Sequence, residues 1–374
     1  MAPWARPDAR PIVIGHRGAS GYRPEHTSVA YELAFELGAD FVEPDIVPTA
    51  DGVLVIRHEN EISGTTDVAG HPEFRDRRTT KAVDGVALTG WFTEDFTWAE
   101  LRTLRCTERL PALRPTSASF DGRFGILRLA DLFALVDSST DALRRRLGIV
   151  AEIKHAAHFE RLGLPLDELF AAEVRAAGWN EGDGRLVVES FEPTALRGVR
   201  ERGVRCAAVL LVEDEGSPAD LVAELGDAAP TYASYLTEEG LRALAAGGGE
   251  AIRTAGRLAA DAVVGGLTVT SATNVVNGID GISVPKSLLL EPGSTLVHSA
   301  HAAGLGVFTW TLRPENEFLD TTFRRGADAA EWGDWQGEFG RLLRSGVDGV
   351  FADHPDLAVA ARAELVSTAA SEAG

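Results

Sequence analysis

Short runs of β-branched and other apolar residues recur along the chain, with helically spaced stretches between them. The first four are Ile12-Val-Ile14, Phe41-Val-Glu-Pro-Asp-Ile-Val47, Gly148-Ile-Val-Ala-Glu-Ile153 and Leu186-Val-Val-Glu-Ser190. Ala207 to Val212, Gly281-Ile-Ser-Val284, Gly306-Val-Phe-Thr-Trp-Thr311 and Gly349-Val-Phe351 follow. Amphipathic segments such as Ser28–Leu37, Leu166–Ala177 and Pro193–Arg202 are each closed soon after by a glycine, a common helix stop. Strand–helix alternation repeated eight times predicts an α/β fold of the (β/α)8 (TIM) barrel type.

One extra run, Val53-Leu-Val-Ile-Arg57, follows Asp51-Gly52, a strong hairpin signal. It reads as an arm folding back on the second strand, so that position 58 returns close to position 45. Two connections exceed ordinary barrel loops, residues 59–146 and 213–278. The first is rich in charge and turn residues and is expected to hold helices at Trp98–Leu104 and Leu129–Val136. The second carries Gly247-Gly-Gly249 and alanine-rich helical pieces. Both read as insertions, so residues 1–374 are expected to form one barrel and not two domains.

Composition narrows the function classes. The 36 Lys and Arg against 56 Asp and Glu leave a net charge of −20. That balance disfavours nucleic acid, whose phosphates are bound largely by Lys and Arg, and equally a polybasic membrane anchor. A small anion stays open as a substrate, because a site can be locally basic on an acidic protein. Only Cys106 and Cys206 occur, which excludes a disulfide scaffold and a Cys-rich zinc site. No apolar run approaches the roughly 20 residues of a transmembrane helix. The first residues, Met1–Pro11, lack the apolar region of a signal peptide. The expectation is a soluble protein, cytoplasmic as the chain stands, or exported if a leader has been removed.

Alternation along strands selects the candidate chemistry. Residues two apart share a face, so Glu43 and Asp45 project together, as do Glu152 and Lys154. An isolated Glu-x-Asp is ordinarily a surface edge or a structural ion pair. Inside a barrel such charges are costly unless paired or metal-bound, and Glu152 stands in a strongly apolar run. Three carboxylates entering one barrel end suit a hard divalent cation, Ca2+ or Mg2+. His16 closes the first strand in Ile14-Gly-His-Arg-Gly18, where Arg17 offers a planar, permanently charged fork for phosphate. His58 ends the arm beside Asp45. Two histidines at one mouth, with Arg17, Lys154 and a cation site, suit general acid/base cleavage of a phosphodiester. Their strand-end placement separates them from His26, His71, His155, His158, His298, His301 and His354, which read as turn or core residues or as minor players. Glu25 is either part of a helix cap ending at Thr27 or points at the mouth. Phe191 and Trp310 sit at later strand ends, as rim packing or as cover for a ligand's carbon chain.

At these residues the sequence resembles the glycerophosphodiester phosphodiesterase family. The resemblance runs through His16-Arg-Gly-Ala-Ser, Pro24-Glu-His-Thr27, Gly38-Ala-Asp-Phe-Val-Glu-Pro-Asp45 and Thr49-Ala-Asp-Gly-Val-Leu-Val-Ile-Arg-His58. It continues in Glu152-Ile-Lys154, Glu189-Ser-Phe191, Phe308-Thr-Trp-Thr311 and Gly346-Val-Asp-Gly-Val-Phe-Ala-Asp-His-Pro355. The segments Trp91–Thr97 and Leu312–Phe318 resemble the longer bacterial and plant-type members. The resemblance implies a (β/α)8 fold and metal-dependent hydrolysis of glycerophosphodiesters to glycerol 3-phosphate and an alcohol. Carried onto this chain, it implies His16 and His58 as the acid/base pair. Glu43, Asp45 and Glu152 would be the metal ligands, with Arg17 and Lys154 on phosphate. From their places near the mouth, Glu25, Glu189, Phe191 and Trp310 are expected to meet substrate. Two positions depart from the family pattern: Glu59 stands where Asp is usual. Glu189 replaces a small or neutral residue, and either alters the pocket or extends the metal shell. The alternatives are a relative acting on lysophospholipid, sphingomyelin or glycerol-phosphate wall polymer, and, less expected, a non-catalytic phosphodiester-binding barrel.

Overall fold

The computed structural model describes residue 4, residues 10–246 and residues 278–372. Eight parallel strand positions close a barrel. Strand β1 (Ile12–His16) lies between β2 (Phe41–Glu43) and the last strand, β12 (Gly349–Ala352). From β12 the sheet runs through β11 (Gly306–Leu312), β10 (Gly281–Pro285), β9 (Ala207–Leu211), β8 (Leu186–Ser190) and β7 (Gly148–Ile153), and β7 pairs back to β2. All eight predicted runs are strands of this barrel.

The second barrel strand is split. Pro44 has no N–H to give to a ladder, so β2 stops at Glu43 and resumes as β3 (Asp45–Pro48), still parallel to β7 with Asp45 opposite Glu152. The predicted arm is β4 (Leu54–Ile56), antiparallel to β3 with Ile46 opposite Ile56. Gly52 takes the turn at φ +75°, and the Arg57 N–H donates to the Asp45 carbonyl at 3.0 Å. Position 58 therefore does return to position 45.

Side-chain alternation divides the apolar residues into two cores. Val13, Val42, Ile149, Ala151 and Val188 face outward against helix residues such as Phe35, Leu132, Phe170 and Phe339. Ile14, Phe41, Val150, Val187, Val209, Phe308 and Phe351 face inward and fill the barrel's lower half. Trp4 closes the bottom edge-on against Phe308, with ring centroids 4.8 Å apart. Each such large side chain contributes about 1.5–3 kcal/mol by leaving water.

The connection from 59 to 146 differs from expectation in detail. The helix at Trp98 ends at Leu101, and that at Leu129 runs to Leu143. The added turns from Asp137 onward bury nothing, so apolar spacing did not reveal them. A two-stranded hairpin, β5 (Thr79–Val83) and β6 (Val86–Gly90), was not predicted. Its signal is Asp84-Gly85, both at positive φ, between short β-prone runs. Residues 106–124 form a loop with its ends tied together: Cys106 N–H donates to the Phe124 carbonyl at 2.8 Å, and Gly122 N–H to the Cys106 carbonyl at 3.0 Å. Of the second long connection, Gly247-Gly-Gly249 and the alanine-rich pieces up to 277 lie outside the described residues.

Candidate active site

Both predicted histidines reach one cavity of about 640 Å³ at the carboxyl ends of the strands, and Arg17, Glu43, Glu152, Lys154, Glu189, Phe191 and Trp310 line it with them. Local sequence fixes the first corner. Gly18 sits at φ +88°, and a Cβ there would come within 2.6 Å of the Ala30 backbone. Only glycine lets the chain turn this tightly over the helix Ser28–Glu36, which Thr27 caps as expected. The turn aims the Arg17 N–H at Glu43 Oε2, 2.7 Å away.

Register then assembles the carboxylates. His16 lies opposite Glu43, Asp45 opposite Glu152, and Glu152 opposite Glu189. Glu43, Glu152 and Glu189 each present an oxygen within 4.8 Å of the others, all three residues buried. Burial pushes all three pKa values up, Glu152 to about 8. The Asp45 charge raises both Glu43 and Glu152, and the Glu152 charge raises Glu189. Glu189 Oε2 and Asp45 Oδ1 are buried with no hydrogen bond. Crowded, desolvated oxygens short of partners are a donor set that fits a hard divalent cation. Asp45 stands beside the trio and not in it. Its Oδ2 is 2.8 Å from His26 Nε2 and 3.6 Å from Arg17 Nε, which leaves Oδ1 as its open oxygen. Lys154 is 2.9 Å from Glu152 and 3.6 Å from Asp45 Oδ1.

The histidines are held alike. His16 Nδ1 meets Asp353 Oδ1 at 2.6 Å, and His58 Nδ1 meets Glu59 Oε1 at 2.5 Å. Their other ring nitrogen is thereby the one left for the cavity, and His58 Nε2 lies 3.3 Å from Lys154 Nζ. Burial, then the Arg17 charge, lowers the pKa of His16 to about 4 and of His58 to about 3, against the pull of their carboxylates. On the protein's own charges both rings are neutral at pH 7, with Nδ1–H donated and Nε2 a base.

Glu25 is set back from the cavity lining, with both its oxygens held by Arg109 (2.7 and 2.8 Å) and Arg17 Nη1 at 3.1 Å. Burial alone would raise its pKa, yet the two guanidiniums hold it well below the usual carboxylate range. Phe191 and Trp310 meet edge-on, 6.0 Å between centroids, and with Leu211, Leu290 and Phe318 make an apolar wall facing the charged one.

Four supporting residues were missed as site residues: Asp353, His26, Arg109 and Arg114. Asp353 had a findable signal, since it directly follows the last barrel strand as His16 ends the first. His26 is fully buried, between Tyr31 Oη at 2.7 Å and Asp45. The two arginines lie in the 106–124 loop, where local spacing carries no signal.

Barrels of this kind carry their chemistry at the rim where these strands end, and the site defines an enzyme. The chain belongs to the glycerophosphoryl diester phosphodiesterase family, whose model matches residues 16–357. A glycerophosphodiester phosphodiesterase of Arabidopsis thaliana is 30% identical over 92% of this chain and 84% of its own length. A solved structure from Silicibacter pomeroyi shares the fold with a TM-score of 0.59 at 22% identity, covering 96% of this chain and 95% of that one. A phosphodiesterase of Oleispira antarctica, solved with the product sn-glycerol-3-phosphate, has a TM-score of 0.54 at 18% identity, covering 94% and 96%. Among the described residues no helix is long and apolar enough to cross a membrane.

Proposed function

We propose that this chain, a single barrel unit over residues 1–374, hydrolyses glycerophosphodiesters to glycerol 3-phosphate and an alcohol by acid/base catalysis from His16 and His58. The observation that carries this is the pair of histidines, each oriented through Nδ1 by a carboxylate, at one cavity with Arg17, Lys154 and the carboxylate trio. Glu43, Glu152 and Glu189, with Asp45 Oδ1 beside them, would hold one Ca2+ or Mg2+, which when bound neutralises charge on the phosphoryl oxygens. Arg17 and Lys154 bind the same oxygens from the side.

One histidine takes a proton at Nε2 from the glycerol 2-hydroxyl, whose oxygen bonds to phosphorus as the P–O bond to the alcohol breaks, and the other gives the departing alcohol a proton. Water, activated in the reverse sense, then opens the cyclic phosphate to glycerol 3-phosphate. Where water attacks directly, the same two proton transfers give glycerol 3-phosphate in one step. The negative charge of a bound diester favours protonating one ring, which burial otherwise keeps neutral. The sum of charges agrees: four carboxylates at −4, a divalent cation, Arg17 and Lys154 leave a mouth near neutral on a chain of −20. The apolar wall of Phe191, Leu211, Leu290, Trp310 and Phe318 favours a second reading, a diester whose alcohol carries hydrocarbon, such as a lysophospholipid.

The test is release of glycerol 3-phosphate from glycerophosphocholine, with and without a chelator, by the wild type, His16→Ala and His58→Ala. Chelation and either substitution should reduce turnover by at least about a thousandfold. Wild-type-like turnover in both variants overturns the assignment. A faster rate on lysophospholipid than on glycerophosphocholine moves the conclusion to the second reading.

A further inference from the structure

Both histidines are oriented by carboxylates, and both carboxylates are gripped by the same loop. Arg109 donates Nη1 and Nη2 to Glu59 at 2.9 and 2.6 Å, and Nε and Nη2 to Glu25 at 2.8 and 2.7 Å. Glu59 Oε1 is the atom that meets His58, and Glu25 Oε2 the atom that meets Arg17. Five residues on, Arg114 donates Nη2 to Asp353 Oδ2 at 2.7 Å, Nε to Glu315 at 2.7 Å and Nη1 to the Ser20 carbonyl at 3.3 Å. Asp353 Oδ1 is the atom that meets His16.

We propose that the 106–124 loop is a positioning device, in which Arg109 and Arg114 each clamp the carboxylate that orients one catalytic histidine. This rests on the acid/base reading above. Neither arginine lines the cavity, and their donor atoms are spent on protein oxygens, so neither is placed to bind substrate. The loop is itself braced. Glu108 accepts from Leu110 N–H and Ser117 Oγ, Asp121 accepts from Glu108 N–H, and the ends are tied at Cys106. Arg109 grips Glu59 through both oxygens and so fixes its plane. Arg114 reaches Asp353 through Nη2 alone, on the Oδ2 that also accepts from Arg313 Nε at 2.7 Å, and ties it to Glu315 and the Ser20 carbonyl. A fixed carboxylate in turn fixes the ring rotation of its histidine. A misplacement of about 1 Å at a reacting group costs on the order of a hundredfold in rate.

The clamps are unequal, which makes them separable. Arg114 leads to His16 alone; Arg109 leads to His58 and, through Glu25, to Arg17 on the phosphate side. With glycerophosphocholine and added Mg2+ or Ca2+, Arg114→Gln should lower kcat about three- to tenfold, since Arg313 still donates to Asp353 Oδ2, and leave glycerol 3-phosphate affinity within about twofold. Arg109→Gln should lower kcat about ten- to a hundredfold and also weaken glycerol 3-phosphate binding several-fold. Arg114→Lys, which keeps charge but not the fork, should fall between and serves if Arg114→Gln does not fold. In double-mutant cycles, Arg109→Gln on Glu59→Gln, and Arg114→Gln on Asp353→Asn, should add far less loss than on the wild type. Arg77→Gln, which breaks a pair with Glu100 elsewhere in the same insertion, should leave kcat unchanged. Additive cycles, or kcat within twofold in the arginine variants while His16→Ala and His58→Ala are dead, overturn the proposal and spare the function. Active histidine variants overturn the function instead.

Discussion

The lower and upper halves of the barrel interior are built from the same strands and obey opposite rules. On β2, Phe41 points down and Glu43 up; on β7 the pair is Val150 and Glu152; on β8 it is Val187 and Glu189. Two residues, about 7 Å of strand, separate a dry apolar plug from a cluster of buried carboxylates. The plug is self-sufficient, since its members gain by leaving water. The cluster is not: burial and neighbouring carboxylates raise every member's pKa, and Glu189 Oε2 lacks a partner. The lower half stabilises the fold, and the upper half spends that stability on a place where charge is concentrated.

The sharpest way to break this contrast is at Glu189. Glu189→Gln should cut divalent-cation affinity by at least about tenfold, and activity with it. It should leave the cation-free melting temperature unchanged or raised, because it removes a carboxyl whose ionisation burial and the neighbouring carboxylates oppose. Cation titration followed by calorimetry, beside thermal melts in chelator, checks both. A clear fall in the cation-free melting temperature would contradict the claim that the upper half is self-destabilising.

One layer lower the signs reverse. Phe308→Ala should cost about 3–5 kcal/mol, since Phe308 is buried against Trp4 and Phe351, yet kcat per folded molecule should hold. Denaturant unfolding with steady-state kinetics at a temperature where the variant is folded tests it. Loss of kcat without loss of stability would show that the halves are not separable.

The smallest effect sharpens what a buried carboxylate does without a cation. Glu192 lies just after β8, outside the trio, 3% exposed, and accepts from Ala157 N–H at 2.8 Å. Burial, with the Asp220 and Asp84 charges adding, pushes its pKa up to about 8. A folded pKa above the unfolded one means that the stabilisation is full below about pH 4.5 and is lost as pH rises through 8. Wild-type stability should therefore decline over that window, by roughly a few kcal/mol at most, and Glu192→Gln should flatten the decline. Parallel pH profiles for the two proteins in urea unfolding would refute this.

How far the sequence carries depends on the range of the interaction concerned. The barrel was legible because strand and helix periodicities are local, as was His16, which ends a strand. The return of His58 was legible because Asp51-Gly52 specifies a tight turn. Alternation also put Glu43 and Glu152 on the interior face. Alternation did not show that Glu189 comes within ligand reach of Glu43 and Glu152, or that His26 takes up Asp45 Oδ2, because both depend on contacts between strands and loops. The hold of Arg109 on Glu25 was not legible either, because Arg109 lies 84 positions away in a loop without periodicity. Arg114 and Asp353 are 239 apart, and such a pairing is set by tertiary closure.

One of these closures has a consequence for biosynthesis. His16 sits on the first barrel strand and its orienting partner, Asp353, follows the last, 337 residues downstream. At roughly 5–20 residues per second, a ribosome delivers Asp353 about twenty to seventy seconds after His16. Until β12 slots between β1 and β11, the barrel is open and the ring of His16 has nothing to hold it. On the proposed acid/base role of His16, a nascent or prematurely terminated chain is catalytically silent, and hydrolysis switches on only with the strand that completes the ring.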